Sequence, residues 1–451
     1  MPVWNSVRLA DLVGTFRLDA EFWQPEHLEV EAALLKQQHA RLGDLATSIR
    51  KGVFNILADS YVDEGVAFYR SSNVGKILPK ESGLVFITPK RHAEESKTSL
   101  RRGDIMLAKT GKQAASVVLR EECNVSQDVI AVRPNCQRVN PFYLAVYLNT
   151  RLGLLQMERW FQGQVQYHLS LPDARQVLVP IPSPKIQADI ERKVLEAESQ
   201  LSKTKKLIGT AQDLLISSIG LSGHDLSPKV CYESKLSRLQ AASRYDAEFF
   251  SPRYQRVFEV LAKDSSSLST VADLTERRFQ PEKLKRTDTF NYIEIGSVRD
   301  DGLADSDSVE ISEAPSRAQW LVEPGDIITS TVRPIRRLSA LITEEQSGYV
   351  CSSGFAVLRP KKGIIEPEVL LTFLRLPIIC EILDLHTTAS MYPAISTTRL
   401  MEIPIVIPTG STQGKIVSKV REALTAHAKS ARLLEEAKGE VERQALELVK
   451  K

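Results

Sequence analysis

The stretch SPKIQADIERKVLEAESQLSKTKKLIGTAQDLLISSIG, residues 183–220, decides the fold predicted for this chain. Ser183 and Pro184 are typical of a helix start, and Gly220 is typical of a left-handed helix end. Between them, apolar residues alternate by four and three positions, which is the a and d pattern of a coiled coil. The seam consists of Ile190, Val194, Ala197, Leu201, Thr204, Ile208, Ala211 and Leu215.

The same seam returns 226 residues later, at Ile416, Val420, Ala423, His427, Ser430, Leu434, Ala437 and Val441. Two matching helices need a partner, and the nearest partner for each is the other, so the sequence predicts an antiparallel coiled coil. At 1.5 Å per residue, helices of roughly 35 residues span on the order of 50 Å, enough for a spacer. The polar His427 and Ser430 leave two interpretations open: a pH switch or ligand site, or a polar layer that fixes the register.

Other stretches also occur twice, in the same order and 222 to 227 residues apart. Together they indicate two tandem domains of one mixed α/β fold, related by a pseudo-twofold axis. The repeated pairs are RLDAEFWQPEH (17–27) with RYDAEFFSPRY (244–254), GDIMLAKTG (103–111) with GDIITSTVR (325–333), VIAVRP (129–134) with FAVLRP (355–360), and VPIPSPKIQADIERKV (179–194) with IVIPTGSTQGKIVSKV (405–420). The predicted α+β architecture has a first domain at 1–182, its helix at 183–220, a second domain at 221–408 and its helix at 409–451.

Composition sets limits on function. The chain has 451 residues, 43% of them hydrophobic and 25% charged, and its net charge of +3 alone does not argue for nucleic acid. No run of some 18 apolar residues and no signal peptide is seen, so we expect a cytoplasmic protein without membrane contact. Five widely spaced cysteines are expected to be buried thiols.

The order and duplication of these motifs resemble the specificity subunits of type I DNA restriction-modification enzymes. The residues that carry the resemblance are the GDI motifs at 103–105 and 325–327, the proline-rich helix entries with Gln187 and Gln413, and the paired heptads. The resemblance implies two target-recognition domains, each reading half of an interrupted double-stranded DNA sequence and held apart by the helices. It also implies two methyltransferase subunits that carry S-adenosylmethionine, together with restriction subunits that act as motor and nuclease. No cofactor is expected in this chain.

Loops in which basic residues adjoin glycine or small polar residues are the candidate DNA contacts, because arginine and lysine neutralise phosphates and read base edges. A solvated surface charge is the alternative for each residue. In the first domain these candidates are Arg50, Lys51, Arg70, Asn73, Lys109 and Lys112. In the second they are Arg277, Arg278, Lys283, Lys285, Arg286, Arg333, Arg336 and Arg337. A further pair of matching stretches, 161–170 and 385–396, could contact DNA or brace the loops, and contributes Gln164, Gln166, Tyr167, His168 and Tyr392.

Catalytic alternatives find less support in the sequence. NPFY at 140–143 is close to the Asn-Pro-Pro-Tyr motif of adenine methyltransferases, but it lacks the second proline and is better explained as a helix start. The Asp19 and Glu21 pair, repeated as Asp246 and Glu248, suggests a two-carboxylate site, yet the helix starts that follow favour scaffold packing or docking. We therefore expect a non-catalytic recognition subunit. A non-DNA coiled-coil scaffold and an autonomous methyltransferase remain the alternatives.

Overall fold

The computed structural model describes residues 5–7, 17–54, 60–81, 83–110, 114–162, 168–264, 266–388 and 391–447. The chain divides into two compact units, one formed by Met1–Leu201 with Ala428–Lys451 and the other by Ser202–His427. Both divisions fall within the long helices, so each helix contributes one segment to each unit. The domain limits predicted from the sequence stay a prediction.

The first unit contains a mixed set of short strands and helices. Its strands are β1 (His39–Arg41), β2 (Ala46–Lys51), β3 (Tyr61–Val62), β4 (Val66–Tyr69), β5 (Val85–Ile87), β6 (Ile105–Ala108), β7 (Ala115–Val117), β8 (Cys123–Val125), β9 (Val129–Pro134) and β10 (Leu178–Pro180). Its helices are α1 (Pro25–Leu35), α2 (Leu42–Leu45), α3 (Pro89–Glu94), α4 (Pro141–Leu148), α5 (Arg151–Arg159), α6 (Leu171–Ala174) and the start of α7 (Pro184–Ser218).

The second unit repeats this plan. Its helices are α8 (Leu236–Ala242), α9 (Pro252–Leu261), α10 (Leu268–Val271), α11 (Pro367–Leu374), α12 (Pro377–Leu385), α13 (Thr397–Met401) and the start of α14 (Gly410–Glu447). Its strands are β11 (Ala272–Leu274), β12 (Thr289–Ile293), β13 (Asp307–Glu310), β14 (Ala318–Leu321), β15 (Ile327–Ser330), β16 (Ser339–Leu341), β17 (Val350–Ser352) and β18 (Phe355–Pro360).

Each unit is built on a four-stranded antiparallel sheet of the same topology. The strand order is β2-β9-β6-β7 in the first unit and β11-β18-β15-β16 in the second. Each unit also has a second sheet, which packs on one face of the first. In the first unit β4 pairs in parallel with β8, and in the second unit β12 pairs in parallel with β17. Alternate residues of the central strands supply two cores: Ile105 and Leu107 pack with helix residues, whereas Met106 and Ala108 pack with the second sheet. The predicted mixed α/β repeats are therefore confirmed.

The long helices match the helices predicted from the heptads. In the first unit Ile190 and Val194 of α7 share a core with Ala437 and Val441 of α14. In the second unit Ala211 and Leu215 of α7 share a core with Ile416 and Val420 of α14. Within each unit the two segments thus run antiparallel. Gly220 follows α7 with a φ of +77°, and Leu221 N–H donates to the carbonyl of Ile216, which closes the helix end as predicted.

The seam differs from the strict heptad at two positions of α14. His427 and Leu434 are only half-buried, while their neighbours Ala426 and Leu433 are buried. At these two turns the buried stripe runs through the preceding residue, and it returns to the heptad positions at Ser430 and Ala437. The seam assignment of His427 is corrected accordingly: its Nδ1 lies 3.0 Å from a carboxylate oxygen of Asp301.

Two hydroxyl groups form the polar layer of the helix pair. Thr204 Oγ1 donates to the carbonyl of Ala423 at 3.2 Å in the second unit. Ser430 Oγ donates to the carbonyl of Ala197 at 2.9 Å in the first unit. Thr204 and Ser430 are equivalent positions of the repeat, and both are buried. Of the two interpretations of the polar seam residues, this geometry favours a layer that fixes the register.

Candidate nucleic-acid interface

The motifs common to both repeats prove to be scaffold. Asp104 of the first GDI motif is buried, and Arg133 of the VIAVRP stretch donates to it at 2.7 Å. In the same way, the carboxylate of Asp326 in the second GDI motif accepts a hydrogen bond from Arg359 Nε at 2.8 Å. Hydrogen bonding to these carboxylates raises the pKa of both arginines. In each unit, the GDI motif and the VIAVRP or FAVLRP stretch therefore supply the two partners of an ion pair.

The repeated opening stretch also has a structural explanation. Arg17 pairs with Asp19 at 2.6 Å, and Arg244 pairs with Asp246 at 2.7 Å. Each arginine also donates to a backbone carbonyl of its own unit, at Phe161 and Leu385 respectively. Hydrogen bonding from the guanidinium lowers the pKa of both aspartates, so these carboxyl groups are charged and unsuited to donate a proton.

The repeated glutamines of the helix entries join each long helix to its domain. Gln187 Oε1 accepts a hydrogen bond from the backbone N–H of Asn140 at 2.8 Å, and Gln413 Oε1 accepts one from Glu366 N–H at 3.0 Å. Pro141 begins α4, so NPFY is a helix start as predicted. Within the described part of the chain, no cluster of three histidine, cysteine, aspartate or glutamate side chains is arranged to hold a metal ion.

Two candidate loops that are far apart in sequence meet in each unit. In the second unit Arg333 N–H donates to the carbonyl of Pro393 at 2.8 Å, and Ile395 N–H donates to the carbonyl of Thr331 at 2.9 Å. In the first unit Leu169 N–H donates to Lys109 at 3.1 Å, and Thr110 forms an antiparallel bridge with His168. We call these the paired loops, residues 109–110 with 162 and 168–169 in the first unit and 331–338 with 388 and 391–395 in the second.

The paired loops of the second unit present cations and apolar groups together. The guanidinium of Arg333 lies 5.4 Å from the ring centroid of Tyr392 and donates to the carbonyl of Met391 at 3.1 Å. Met391 and Tyr392 are 75% and 68% exposed, and Arg336 and Arg337, in the loop that contains Arg333, are exposed as well. Guanidinium groups bind phosphates and guanine edges, and aromatic faces stack on bases. This arrangement suits nucleic acid.

A second basic group in this unit lies between β11 and β12. Arg277 pairs with Glu323 at 2.7 Å, and the guanidinium of Arg278 lies 5.8 Å from the Trp320 ring centroid. All five members of the group are exposed, and the other three are Lys283, Lys285 and Arg286. Because Arg277 is engaged by Glu323 and Arg278 lies near Trp320, these three lysine and arginine residues are the stronger candidates for phosphate contacts.

The candidates of the first unit have more varied positions. Arg50 is exposed and donates to the carbonyl of Lys97, and Lys51 lies 5.4 Å from the ring centroid of the exposed Phe54. Arg70 and Lys109 are half-buried, and His168 is exposed. The remaining candidates lie outside the described residues: Lys112, Gln164, Gln166 and Tyr167.

One candidate has to be corrected. Asn73 is 0% exposed, so its side chain has no surface with which to meet a base edge. Its Oδ1 accepts a hydrogen bond from Arg70 N–H, and its Nδ2 donates to the carbonyl of Lys80, both at 3.1 Å. Asn73 therefore braces its own loop, which is the ordinary role of a turn asparagine.

Sequence reasoning missed the exposed apolar side chains beside the cations. Phe54, Ile335 and Met391 are all exposed, and each lies within three residues of a basic candidate or beside one in space. The available signal was the interleaving of aromatic and basic residues, as in Lys51 and Phe54. The cysteine expectation is also wrong in part, because Cys136 and Cys231 are exposed while the other three are buried.

Comparison with known proteins supplies the class. A family described as the type I restriction modification DNA specificity domain matches residues 263–442, about two fifths of the chain. The resemblance predicted from the sequence is confirmed: this chain is similar to the specificity subunits of type I restriction-modification enzymes, and the family match lies in the second repeat.

Individual relatives are distant. The type I restriction enzyme HindI specificity subunit of Haemophilus influenzae is 24% identical over 128 residues, which span 28% of this chain and 28% of that protein. The solved S subunit of a type I system from M. genitalium has a TM-score of 0.37 and 10% identity, covering 92% of this chain and 95% of that one. The HsdS subunit from Thermoanaerobacter tengcongensis has a TM-score of 0.29 and 16% identity, with coverage of 92% and 95%.

Membrane insertion finds no support among the described residues, since none of their helices is both long and apolar enough to span a bilayer.

Proposed function

We propose that this chain is the sequence-recognition subunit of a type I restriction-modification complex and that it binds double-stranded DNA through the paired loops. The observation that carries the proposal is that one scaffold presents different side chains in its two copies. Lys109, Thr110 and His168 occupy the loops of the first unit, whereas Arg333 and Tyr392 occupy those of the second. Equivalent scaffolds meet DNA in equivalent ways, while different side chains read different bases.

Each unit then reads one half of a bipartite target, and the long helices set the gap between the halves. The polar hydrogen bonds of Thr204 and Ser430 support a spacer with one register, because a shift of the helices would leave these buried hydroxyls unpaired. A fixed register gives a fixed gap. The helices also dock two methyltransferase subunits.

In this proposal the partner subunits carry out the catalytic steps. S-adenosylmethionine is bound by the methyltransferase subunits, and restriction subunits supply the motor and the nuclease. The pairing of Asp19 with Arg17 and of Asp246 with Arg244 supports a scaffold role for the repeated opening stretch. The complex works in the cytoplasm, where its DNA substrate is found.

The test is selection from random duplex DNA by the chain copurified with its methyltransferase, followed by sequencing of the bound pool. We expect two short, different motifs at a fixed gap. Binding should also weaken steeply as salt rises, because phosphate contacts release counterions. If the intact complex enriches no motif and its binding does not change with salt concentration, the result would instead favour a non-DNA scaffold.

A further inference from the structure

Arg375 follows α11 and contacts two segments, the end of the loop at 337–339 and the turn at 300–302, which a backbone hydrogen bond from Leu341 N–H to the carbonyl of Gly302 also joins. Its Nη1 donates to the carbonyls of Arg337 at 2.9 Å and Ser339 at 2.8 Å. Its Nη2 donates to the carbonyl of Asp300 at 2.6 Å. One guanidinium therefore holds the exit of the paired loops and, on its other side, the turn at 300–302.

The loop that it holds has a strained backbone. Arg333 and Arg337 adopt left-handed φ values of 50° and 58°, which residues with a Cβ seldom adopt. Strain of this kind persists only where the surroundings fix the conformation. Pro393 and Met391 fix the entry at Arg333, while Arg375 fixes the exit at Arg337.

The turn on the other side is shaped around Arg375. Gly302 has a φ of +84°, and a Cβ placed there would lie 3.0 Å from Leu371 and 3.5 Å from Arg375 Cδ. Asp301, next in the turn, accepts hydrogen bonds from Arg299 and lies 3.0 Å from His427 of α14. The brace is thus anchored in the long helix of the same unit.

The first unit uses a different residue at the equivalent place. Asn149 follows α4, 226 positions before Arg375, and its Nδ2 donates to the carbonyl of Ala115 in β7 at 2.7 Å. This shorter side chain braces the strand alone. Among the described residues, the brace that reaches the loop itself is that of Arg375 in the second unit, whose loop presents Arg333, Arg336 and Arg337.

We propose that Arg375 is a positioning residue for the second half-site: it holds residues 333–337 in the one conformation in which their guanidinium groups meet DNA. Its own guanidinium is committed to three carbonyls and is not a DNA contact. The inference rests on the proposed function and adds a residue that determines the specificity of one unit only.

The experiment repeats the DNA selection with Arg375→Lys in the complex with methyltransferase. Lysine keeps the charge but lacks the planar fork that reaches three carbonyls. We expect enrichment of the second motif to fall by about tenfold, with the first motif and the gap unchanged. Amide hydrogen exchange across 331–339 should quicken in the same variant. Arg399→Lys, at an exposed arginine paired with Glu402, is the matched control and should alter neither motif.

The outcomes separate the possibilities. Equal loss of both motifs would make Arg375 a general folding residue, and unchanged selection with unchanged exchange would remove its role altogether. If Arg375→Lys prevents assembly, Gly302→Ala disturbs the same brace from the turn and should give the same one-sided loss; symmetrical loss there overturns the proposal. Failure of the wild-type complex to select any motif would overturn the proposed function instead.

Discussion

Asp104 and Asp326 explain why the chain repeats GDI at the same place in each half. Each carboxylate is almost wholly buried and is paired with an arginine that lies in another repeated stretch. The sequence predicted that both stretches are scaffold elements, but it did not predict that they touch. Pairing between residues 29 and 33 positions apart depends on strand order, which residue types do not encode locally.

Replacing Asp326 with Asn should destabilise the second unit by about 1–3 kcal/mol, because Arg359 loses a buried, charge-assisted partner. Urea unfolding followed by circular dichroism measures the change. Asp273→Asn, at an exposed carboxylate 3.4 Å from Lys361, is the control and should cost less than about 1 kcal/mol. An equal loss of stability in the two variants would mean that burial does not strengthen the Asp326–Arg359 ion pair.

Arg333→Ala should disturb recognition of the second half-site alone. If Arg333 reads a base, the penalty is about 1–3 kcal/mol at one position of that motif, measured by competition binding with single-base variants. Arg256→Ala, at an exposed arginine paired with Glu259, should leave every affinity unchanged. A uniform loss across all sequences would identify Arg333 as a phosphate contact.

His386 should make the second unit sensitive to acid. Burial lowers its pKa to about 4, and its ring packs edge-on against Phe249 and Phe258. A histidine whose folded pKa is depressed binds fewer protons folded than unfolded, so its stability contribution is complete above pH 6.5 and is lost as pH falls toward about 4. The free energy of unfolding should therefore fall as the pH is lowered across that range. His386→Phe should make the dependence of this free energy on pH less steep. An unchanged slope in the variant would show that other groups cause it.

At the scale of elements, the long helices were the most predictable part of the chain. Heptad spacing and the end signals at Pro184 and Gly220 predicted both limits of α7 to within two residues, and the start of α14 was predicted to within one residue. What failed was the exact seam, since His427 was placed where Ala426 is buried. Which of two neighbouring residues faces the partner helix depends on tertiary contacts, and His427 lies 3.0 Å from Asp301, far away in the sequence. Loop side chains were least predictable: Asn73 has the right chemistry for a base contact but faces inward.

Removing the two hydroxyl groups of the helix pair tests the polar layer. Ser430→Ala and Thr204→Val should each cost about 0.5–1.5 kcal/mol, the usual net value of one hydrogen bond. Thermal unfolding of each variant checks the cost. Thr425→Val is the control, because its hydroxyl is exposed and bonds only within its own helix. If these hydrogen bonds fix the helix register, DNA selection with the double variant should enrich targets that have more than one gap length. Enrichment of targets with a single gap length would contradict this role.

At the scale of the whole molecule, the spacer predicts the geometry of the target. Deleting residues 197–203 and 423–429 removes one heptad from equivalent places in both helices and keeps both Thr204 and Ser430. The shortening is about 10 Å at 1.5 Å per residue, or about three base pairs at 3.4 Å each. Selection with this variant should return the same two motifs at a smaller gap. An unchanged gap would show that the length of the long helices does not set the distance between the two half-sites.

The division of both long helices between two units has a consequence for biosynthesis. The second unit is one continuous stretch, Ser202–His427, whereas the first unit needs Ala428–Lys451 as well. Its core includes Ala437 and Val441, which leave the ribosome after every residue of the second unit. The domain whose synthesis begins first is therefore completed last, and until Ala437 and Val441 emerge part of its apolar core has no covering helix.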